Sequence, residues 1–205
     1  QLTNGEMASG NDVSDNGTVV LSSTAGNYMW TEAGGLVTLN TFTNGTNNSG
    51  NPSISKDGTR ISATVTNPNN NLNEMGVYDV ATNSWSYLGG IGGSSDGNVS
   101  SSWSMSGDGQ VVVGLGWVNA GTAHAIKWSQ AGGMVDMGST VTGRSTRAND
   151  ANLDGSIIVG WQDSDFGFRQ AAIWEGTTQT LIFDQDGMEV NEAGAVSEDG
   201  NWVIG

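Results

Sequence analysis

The sequence MSGDGQVVVG, residues 105–114, places three consecutive valines directly after an Asp-Gly pair. Asp-Gly supplies the positive-φ position that a tight β-hairpin requires, so the pattern predicts a turn followed by a strand. Three successive apolar residues leave the strand no polar face, which is typical of a strand buried on both sides. Related phrases occupy residues 13–20, 54–58, 151–160 and 196–205. This recurrence predicts a fold assembled from repeated units.

The glycine of each phrase marks one repeat, and successive marks lie 41 to 51 residues apart by subtraction of their numbers. Periods in this range indicate propeller blades or another array. An aromatic residue follows three of these glycines at a second recurring place, and in the second repeat Tyr78 takes that place. The predicted structural anchors of the repeats are Gly17, Gly58, Gly109, Gly155, Gly200, Trp30, Trp128 and Trp174.

A third recurring element closes the repeats, as AGGLVTL at 33–39, AGGMVDMG at 131–138 and TTQTLIF at 177–183. Each repeat therefore reads as four strands joined by turns, and four strands make one propeller blade. A β-sandwich gives no reason for one phrase to return at near-constant intervals, and a parallel β-helix needs a shorter period. We predict an all-β fold, a single β-propeller domain of four-stranded antiparallel blades. The predicted repeats are 7–48, 49–96, 97–142 and 143–189, with a partial fifth repeat at 190–205.

The fifth phrase ends at Gly205, and residues 190–205 contain only two predicted strands of a blade. Propeller blades are apolar on both faces, so an incomplete ring leaves faces and strand edges in water. We expect either that the natural protein continues beyond Gly205 as part of a larger ring, or that the last strands pair with N-terminal ones. Residues 7–14 favour the first alternative because they already supply the first repeat with its own strand. A homodimer through the first and last blades is the expected consequence.

Composition excludes several classes of function. The 205 residues include 32 Gly, 8 Trp and no Cys, and 6 basic against 21 acidic residues give a net charge of −15. This charge opposes binding to nucleic acid and to anionic lipid. The absence of cysteine excludes disulfides, thiolate metal sites and a cysteine nucleophile. No apolar run approaches the ~18 residues of a membrane span. The polar, acidic composition favours an extracellular or cell-envelope protein.

The third repeat resembles a known family. Its stretches AHAIKW at 123–128, GGMVDMG at 132–138 and ANLDGSIIVG at 151–160 resemble the HAF family of probable extracellular repeats, named for a His-Ala-Phe phrase. Ile126 stands here in place of the phenylalanine. The resemblance implies a bacterial secreted or envelope β-propeller and no shared activity. The Ser-x-Asp-Gly turns also look like the Asp-box hairpins of sialidases and the turns of TolB-like propellers, where their role is structural.

The ligand candidates are basic and aromatic residues that the repeat pattern does not require. Arg144 and Arg147 form the one close basic pair, and guanidinium groups bind carboxylate or sulfate through paired hydrogen bonds. Salt bridges to Asp136 or Asp150 are the alternative role for this pair. We single out four of the tryptophans that fall outside the recurring aromatic place, because some of them are free to stack on sugars while others pack between blades. These tryptophans are Trp85, Trp103, Trp117 and Trp161.

Metal and catalytic chemistry have weak support in the sequence. His124 is the single histidine and stands where Gln170 stands in the next repeat, which favours a packing role over a catalytic triad. Asp184, Asp186 and Glu189 crowd one loop and are the only Ca²⁺ candidates that we single out, but their spacing does not match an EF-hand. We therefore expect no catalytic residue and no tightly held cofactor or metal.

The function that we predict is a ligand- or partner-binding module without catalysis, with an unknown protein or a carbohydrate as the ligand. Two alternatives stay open: a propeller carbohydrate-active enzyme, and a structural segment of a larger surface protein. An enzyme should bring two carboxylates with perturbed pKa values together at the centre of the ring, whereas a binding module should place an aromatic or apolar surface there. The fold alone does not choose between them.

Overall fold

The computed structural model describes residues 7–42 and 50–205, and the elements within these ranges are β-strands. Their bounds are β1 Ser9–Val13, β2 Val19–Ser22, β3 Gly26–Thr31, β4 Gly35–Thr41, β5 Ser53–Ile54, β6 Arg60–Asn67, β7 Leu72–Asp79, β8 Ser84–Gly89, β9 Ser100–Met105, β10 Val111–Asn119, β11 Thr122–Ser129, β12 Gly133–Asp136, β13 Thr146–Ala151, β14 Ile157–Asp163, β15 Arg169–Glu175, β16 Thr178–Leu181, β17 Ala195–Val196 and β18 Val203–Ile204. No helix in this part of the chain is long and apolar enough to cross a membrane.

The strands form four four-stranded antiparallel sheets, β1–β4, β5–β8, β9–β12 and β13–β16, and a two-stranded sheet, β17–β18. Within each sheet the strands lie side by side in chain order, and we number the sheets as blades 1 to 5. Each predicted repeat contains one of these sheets. Consecutive blades pack face to face, and residues of the first strands of all five blades line one channel, which confirms the predicted β-propeller fold.

The valine run after the Asp-Gly turn is buried by two different neighbours. Val112 packs with Met75 and Val77 of blade 2, and Val113 packs with Ala148 of blade 4. Both valine side chains are fully buried. Because successive side chains of a strand point to opposite faces, a strand between two blades needs an apolar residue at every position along this stretch.

The recurring aromatic residues share one place in the register. Trp30, Tyr78, Trp128 and Trp174 lie opposite the same position of the second strand in their blades. From this place the aromatic ring packs on the preceding blade, so that Tyr78 joins a cluster with residues of blade 1 and Trp174 one with residues of blade 3. Trp174 is fully buried, whereas Trp30 is 40% exposed because no described residues form a blade in front of blade 1.

The Ser-x-Asp-Gly turns are closed by their own side chains. In blade 2 the Ser55 hydroxyl donates to Asp57 Oδ1 over 2.7 Å, and the same oxygen accepts the Thr59 N–H over 3.0 Å. Ser55 Oγ in turn accepts the Arg60 N–H over 3.0 Å. The turn of blade 1 uses Asn16 in the place of the aspartate. The phrase recurs because its serine and its aspartate or asparagine make the hydrogen bonds that close each turn.

The turns of neighbouring blades are also joined to one another. The Asp15 N–H donates to the Lys56 carbonyl over 2.8 Å, and the Lys56 N–H donates to the Gly107 carbonyl over 2.8 Å. The Leu153 N–H donates to the Glu198 carbonyl over 3.1 Å. The Lys56 side chain then reaches Glu198 at 2.8 Å, from blade 2 to blade 5. The five turns thus form one hydrogen-bonded rim at this end of the channel, which we call the turn end.

The register generates a prediction about two tryptophans in equivalent places. Trp174→Ala removes a ring that is fully buried between blades 3 and 4, and the expected loss is about 3–5 kcal/mol of unfolding free energy. Trp30→Ala is the matched control, with an expected loss below about 1.5 kcal/mol because its ring packs on one side only. Urea unfolding of both variants measures the difference. Equal losses would show that the blades do not stack as described.

The turn carboxylates predict how stability depends on pH. Hydrogen bonds, first from the Ser197 hydroxyl, lower the pKa of Asp199 to about 2, and similar bonds lower the pKa values of Asp57 and Asp154. A folded-state pKa below the unfolded value stabilises the fold above about pH 4, and this contribution is lost as the pH falls towards 2.

Replacing these three aspartates by asparagine tests the assignment, because Asn16 shows that an amide oxygen closes the same turn. The melting temperature of the triple variant should fall less between pH 4 and pH 2 than that of the wild type. Parallel pH profiles for the two proteins would contradict this.

Candidate ligand site at the channel mouth

The strand nearest the axis carries a β-bulge in three of the blades. The pairing of β1 with β2 skips Asn11, that of β9 with β10 skips Trp103, and that of β13 with β14 skips Asn149. A bulge leaves one residue unpaired and re-aims its side chain. All three bulged residues line one cavity of about 330 Å³, at the end of the channel opposite the turn end. We call this cavity the channel mouth.

Two carboxylates lie deeper in the channel mouth and connect blades. Asp12 Oδ2 accepts the Ser53 hydroxyl over 2.7 Å and the N–H of the following residue over 3.0 Å. Asp150 Oδ1 accepts the Ser104 hydroxyl over 2.7 Å, and Asp150 Oδ2 accepts the Val196 N–H over 2.9 Å. Asp12 therefore joins blade 1 to blade 2, and Asp150 joins blade 4 to both of its neighbours.

The pKa of the Asp150 carboxyl group reflects its buried position between blades. Burial raises the pKa of its carboxyl group, and the negative charge of Asp12 acts in the same direction. The hydrogen bonds from Val196 and Ser104 oppose the rise, because they stabilise the charged form. The channel mouth is thus a place where added negative charge is unfavourable.

Arg147 fixes the plane of the Trp103 ring. Its guanidinium carbon lies 3.6 Å from the centre of the Trp103 ring and 5.2 Å from that of Trp161. Its Nε donates to Asn149 Oδ1 over 2.7 Å, and its Nη2 contacts Glu192 Oε1 at 2.7 Å. Burial lowers the pKa of Arg147, and Glu192 offsets part of that effect. The indole is therefore held by a cation–π contact whose cation is itself anchored.

Arg169 and Glu192 complete this network. The Arg169 guanidinium lies 4.3 Å from the centre of the Trp161 ring and contacts Glu192 Oε2 at 2.9 Å. The Asn149 amide donates to Glu192 Oε1 over 2.8 Å. The Glu192 carboxylate thus accepts hydrogen bonds from Arg147, Arg169 and Asn149. This network holds the wall of the channel mouth in place.

The structure brings together some of the predicted ligand residues and separates others. Trp103, Arg147 and Trp161 belong to the network described above. Arg144 instead donates to the carbonyl oxygen of Asp165 in an exposed loop. Trp117 pairs with Ala123 on β10 and β11 and does not line the channel mouth.

The predicted salt-bridge partners of the arginine pair were wrong. Arg147 pairs with Glu192, because the linker from blade 4 to blade 5 carries this residue to the channel mouth. Asp136 is taken by His124, whose Nδ1 lies 2.9 Å from Asp136 Oδ1. Asp150 binds a hydroxyl and a backbone N–H of neighbouring blades, as described above.

The remaining candidates have local roles. Asp184 Oδ1 accepts the N–H groups of Asp186 and Met188 over 2.9 and 2.8 Å, so that it closes its own turn. No group of three or more acidic or histidine side chains in residues 7–42 and 50–205 is placed to share a metal ion. The Trp85 ring packs at 5.2 Å from that of Tyr78, and its N–H donates to the carbonyl of Leu39 over 3.0 Å. Trp85 thus packs between blades 1 and 2.

Our sequence reasoning missed most of the polar residues of the channel mouth. Aligning the repeats on their turns places Asn11, Trp103 and Asn149 in one column, three residues before the first turn residue. Asp12 and Asp150 share the next column. The recurrence of these two columns is the signal in the sequence from which the site could have been predicted. The contributions of Arg169 and Glu192 carry no such signal, because Arg169 begins β15 and Glu192 lies in the linker to blade 5, both outside the repeated phrase.

The network predicts different roles for the two arginines of the sequence pair. Arg147→Ala removes the contact with Trp103 and leaves Glu192 with one cation fewer, and we expect a loss of about 2–4 kcal/mol. Arg144→Ala, the matched control, should cost less than about 1 kcal/mol because its partner lies in an exposed loop. Urea unfolding compares the two variants. A larger loss for Arg144→Ala would be incompatible with this network.

Comparison with known proteins supports the fold and leaves the family open. No protein-family model and no curated protein matches the chain. TolB from Acinetobacter baumannii is similar in structure, with a TM-score of 0.61 and 15% identity over 86% of this chain and 43% of that one. A putative TolB from Agrobacterium tumefaciens has a TM-score of 0.61 and 16% identity over 88% of this chain and 63% of that one.

A third similar structure is the β-propeller domain of the Trilobed protease from Pyrococcus furiosus. Its TM-score is 0.56 and its identity 14%, over 90% of this chain and 58% of that one. The chain spans less than two thirds of the length of each of these three proteins. At such low identity the likeness establishes the propeller fold and carries no activity over.

Proposed function

We propose that the protein is a ligand-binding module and that its ligand is a neutral polyhydroxylated molecule, of which a carbohydrate is the common biological form. The observation that carries the proposal is the Trp103 bulge, which sets an indole into the wall of a polar cavity. Arg147 covers one face of this ring at 3.6 Å. Trp103 is one of the residues that line the channel mouth, and its side chain is half-buried.

The aromatic wall suits the apolar face of a sugar ring. A fixed indole offers a large flat surface, and its side chain loses little further freedom when a ligand stacks on it. Here Arg147 holds the ring from behind, while the indole N–H donates to the Ser101 hydroxyl over 3.2 Å. Such a preformed surface favours binding because little ordering remains to be done.

The polar groups around Trp103 match hydroxyl groups. Asn11 and Asn149 supply amides, and Asp12 and Asp150 supply carboxylate oxygens, all within one cavity. Amides and carboxylates together both donate to and accept from a hydroxyl. A volume of about 330 Å³ lies at the lower end of the range for ligand pockets. The site is therefore large enough for a small ligand.

The charge of the site disfavours the carboxylate or sulfate ligand that the arginine pair had suggested. Arg147 and Arg169 share the single Glu192 carboxylate, which neutralises one of their two positive charges. Asp12 and Asp150 add the negative charges of two carboxylates to the lining of the cavity. An anion entering the channel mouth would meet these carboxylates, whereas a neutral polyol would not be repelled.

A carbohydrate-active enzyme is the second candidate function, and Asp150 is the observation that favours it. Two carboxylates share the channel mouth, and burial raises the pKa of one of them, as a general acid in glycoside cleavage requires. Against this role, Asp12 and Asp150 are both engaged in bonds that join blades. Catalysis would have to release bonds that stabilise the fold, so we place binding first.

The location and family of the protein are part of the same proposal. An acidic protein without cysteine, whose third repeat resembles HAF repeats, is suited to the cell exterior or envelope. In that setting the module either works alone or forms one segment of a larger surface protein. A glycan ligand is consistent with both arrangements.

A glycan array, read beside a panel of chromogenic glycosides, tests the proposal. Wild-type protein should bind a subset of glycans, and Trp103→Ala should weaken that binding at least about tenfold because the stacking surface is lost. Trp117→Ala is the matched control and should bind like the wild type, since Trp117 does not line the channel mouth.

Two results would contradict the proposal. If the protein bound none of the glycans, a carbohydrate ligand would be excluded. Hydrolysis of a glycoside that is lost in Asp150→Asn would establish the enzyme instead.

A further inference from the structure

Blade 4 carries an exposed apolar surface beside the channel mouth. Four large apolar side chains of its two mouth-end loops are exposed, by 87% for Phe166, 72% for Phe168, 52% for Phe183 and 66% for Met188. We call these four residues the blade-4 patch. Exposed apolar residues are ordinary when scattered singly, whereas a cluster of them marks an interaction surface.

The blade-4 patch comes from two neighbouring loops. The first loop joins the end of β14 to the start of β15 at Arg169. The second follows β16 and begins beside β15, where the Ile182 N–H donates to the carbonyl of Ala171 over 2.9 Å. Ala171 itself donates to the Val190 carbonyl over 2.6 Å. Both loops therefore leave the sheet at its mouth end, side by side.

Hydrogen bonds within the loops hold the apolar side chains outward. The Ser164 N–H donates to the Phe168 carbonyl over 2.7 Å, and Arg144 braces the same loop through the carbonyl of Asp165. In the second loop the Asp184 N–H donates to the Met188 carbonyl over 2.8 Å. The backbone of both loops is thus ordered by hydrogen bonds, which reduces the entropy lost when a partner binds.

The same two loops are strongly acidic. Together with the last residue of β14 they carry five carboxylates. Arg144 donates to a carbonyl of the first loop and Arg169 contacts Glu192, so these two arginines leave the region with a net negative charge. A surface that is apolar and acidic complements a partner that is apolar and basic. The carboxylates belong to Asp163, Asp165, Asp184, Asp186 and Glu189.

We propose that the blade-4 patch docks a basic amphipathic segment of a partner protein. The apolar side of such a segment covers the phenylalanines, while its Lys and Arg side chains meet the surrounding carboxylates. A bilayer of anionic lipid lacks this complementarity because the loops would repel it. None of the four residues of the blade-4 patch lines the channel mouth, so the partner and the ligand of the mouth use different surfaces.

A labelled model peptide of about 18 residues, with leucines on one face of a helix and lysines on the other, is the probe. Fluorescence anisotropy should show binding to the wild type that weakens as salt is added. The double variant Phe166→Ser/Phe168→Ser should weaken binding at least about tenfold. Trp202→Ser/Ile204→Ser is the matched control, because these residues are 74% and 69% exposed on blade 5. It should bind within about twofold of the wild type.

Three further measurements separate this proposal from its alternatives. A serine/lysine peptide of equal charge should bind at least about tenfold more weakly, and equal binding would show attraction by charge alone. Binding to phosphatidylglycerol vesicles would point to a membrane surface and overturn the proposal. Trp103→Ala should leave peptide binding unchanged, so that a failure of the carbohydrate site is told apart from a failure of this one. Equal affinity of the phenylalanine variant and the wild type would also overturn the proposal.

Discussion

The packing of each blade face on the next is the constraint on which the rest of the structure depends. A sheet between two neighbours has no solvent face, and the consecutive valines at 112 and 113 satisfy this by packing on blades 2 and 4 respectively. Trp30 and Trp174 occupy equivalent positions in their blades. The Trp30 ring is exposed because no described blade precedes blade 1, whereas Trp174 is buried against the preceding blade. The repeat phrase follows from this requirement.

The contact between blades also creates the candidate site. Asp12 and Asp150 join blades and, in doing so, bring carboxylates to the axis. The bulges beside them add Asn11, Trp103 and Asn149 to the same cavity. The channel mouth therefore needs no dedicated loop on most blades, since strands that are fixed by packing position its polar groups. A site on strands is held more rigidly than one on loops.

The sequence was sufficient for the fold because the turn and the aromatic residue recur with the period of a blade. It was insufficient for the site, because the bonds of Arg147 depend on distance in space. Glu192 follows Arg147 by one full repeat and comes from an irregular linker, so no local pattern joins the two residues. From the sequence, Asp150 was a candidate salt-bridge partner of the arginine pair. In the structure it accepts hydrogen bonds from the Ser104 hydroxyl and the Val196 N–H instead.

Hydroxyl groups explain how a chain with 36% hydrophobic residues builds buried sheets. The Ser100 hydroxyl accepts the Met75 N–H over 2.9 Å, and the Thr146 hydroxyl accepts the Ala125 N–H over 2.7 Å. Both bonds run from the third strand of one blade to the first strand of the next. A buried N–H without a partner costs about 1–3 kcal/mol, so each hydroxyl offsets a penalty that an apolar residue would leave. The first strands can therefore be polar while buried, and polar residues of these strands line the channel mouth, namely Asp12, Ser53, Ser104 and Asp150.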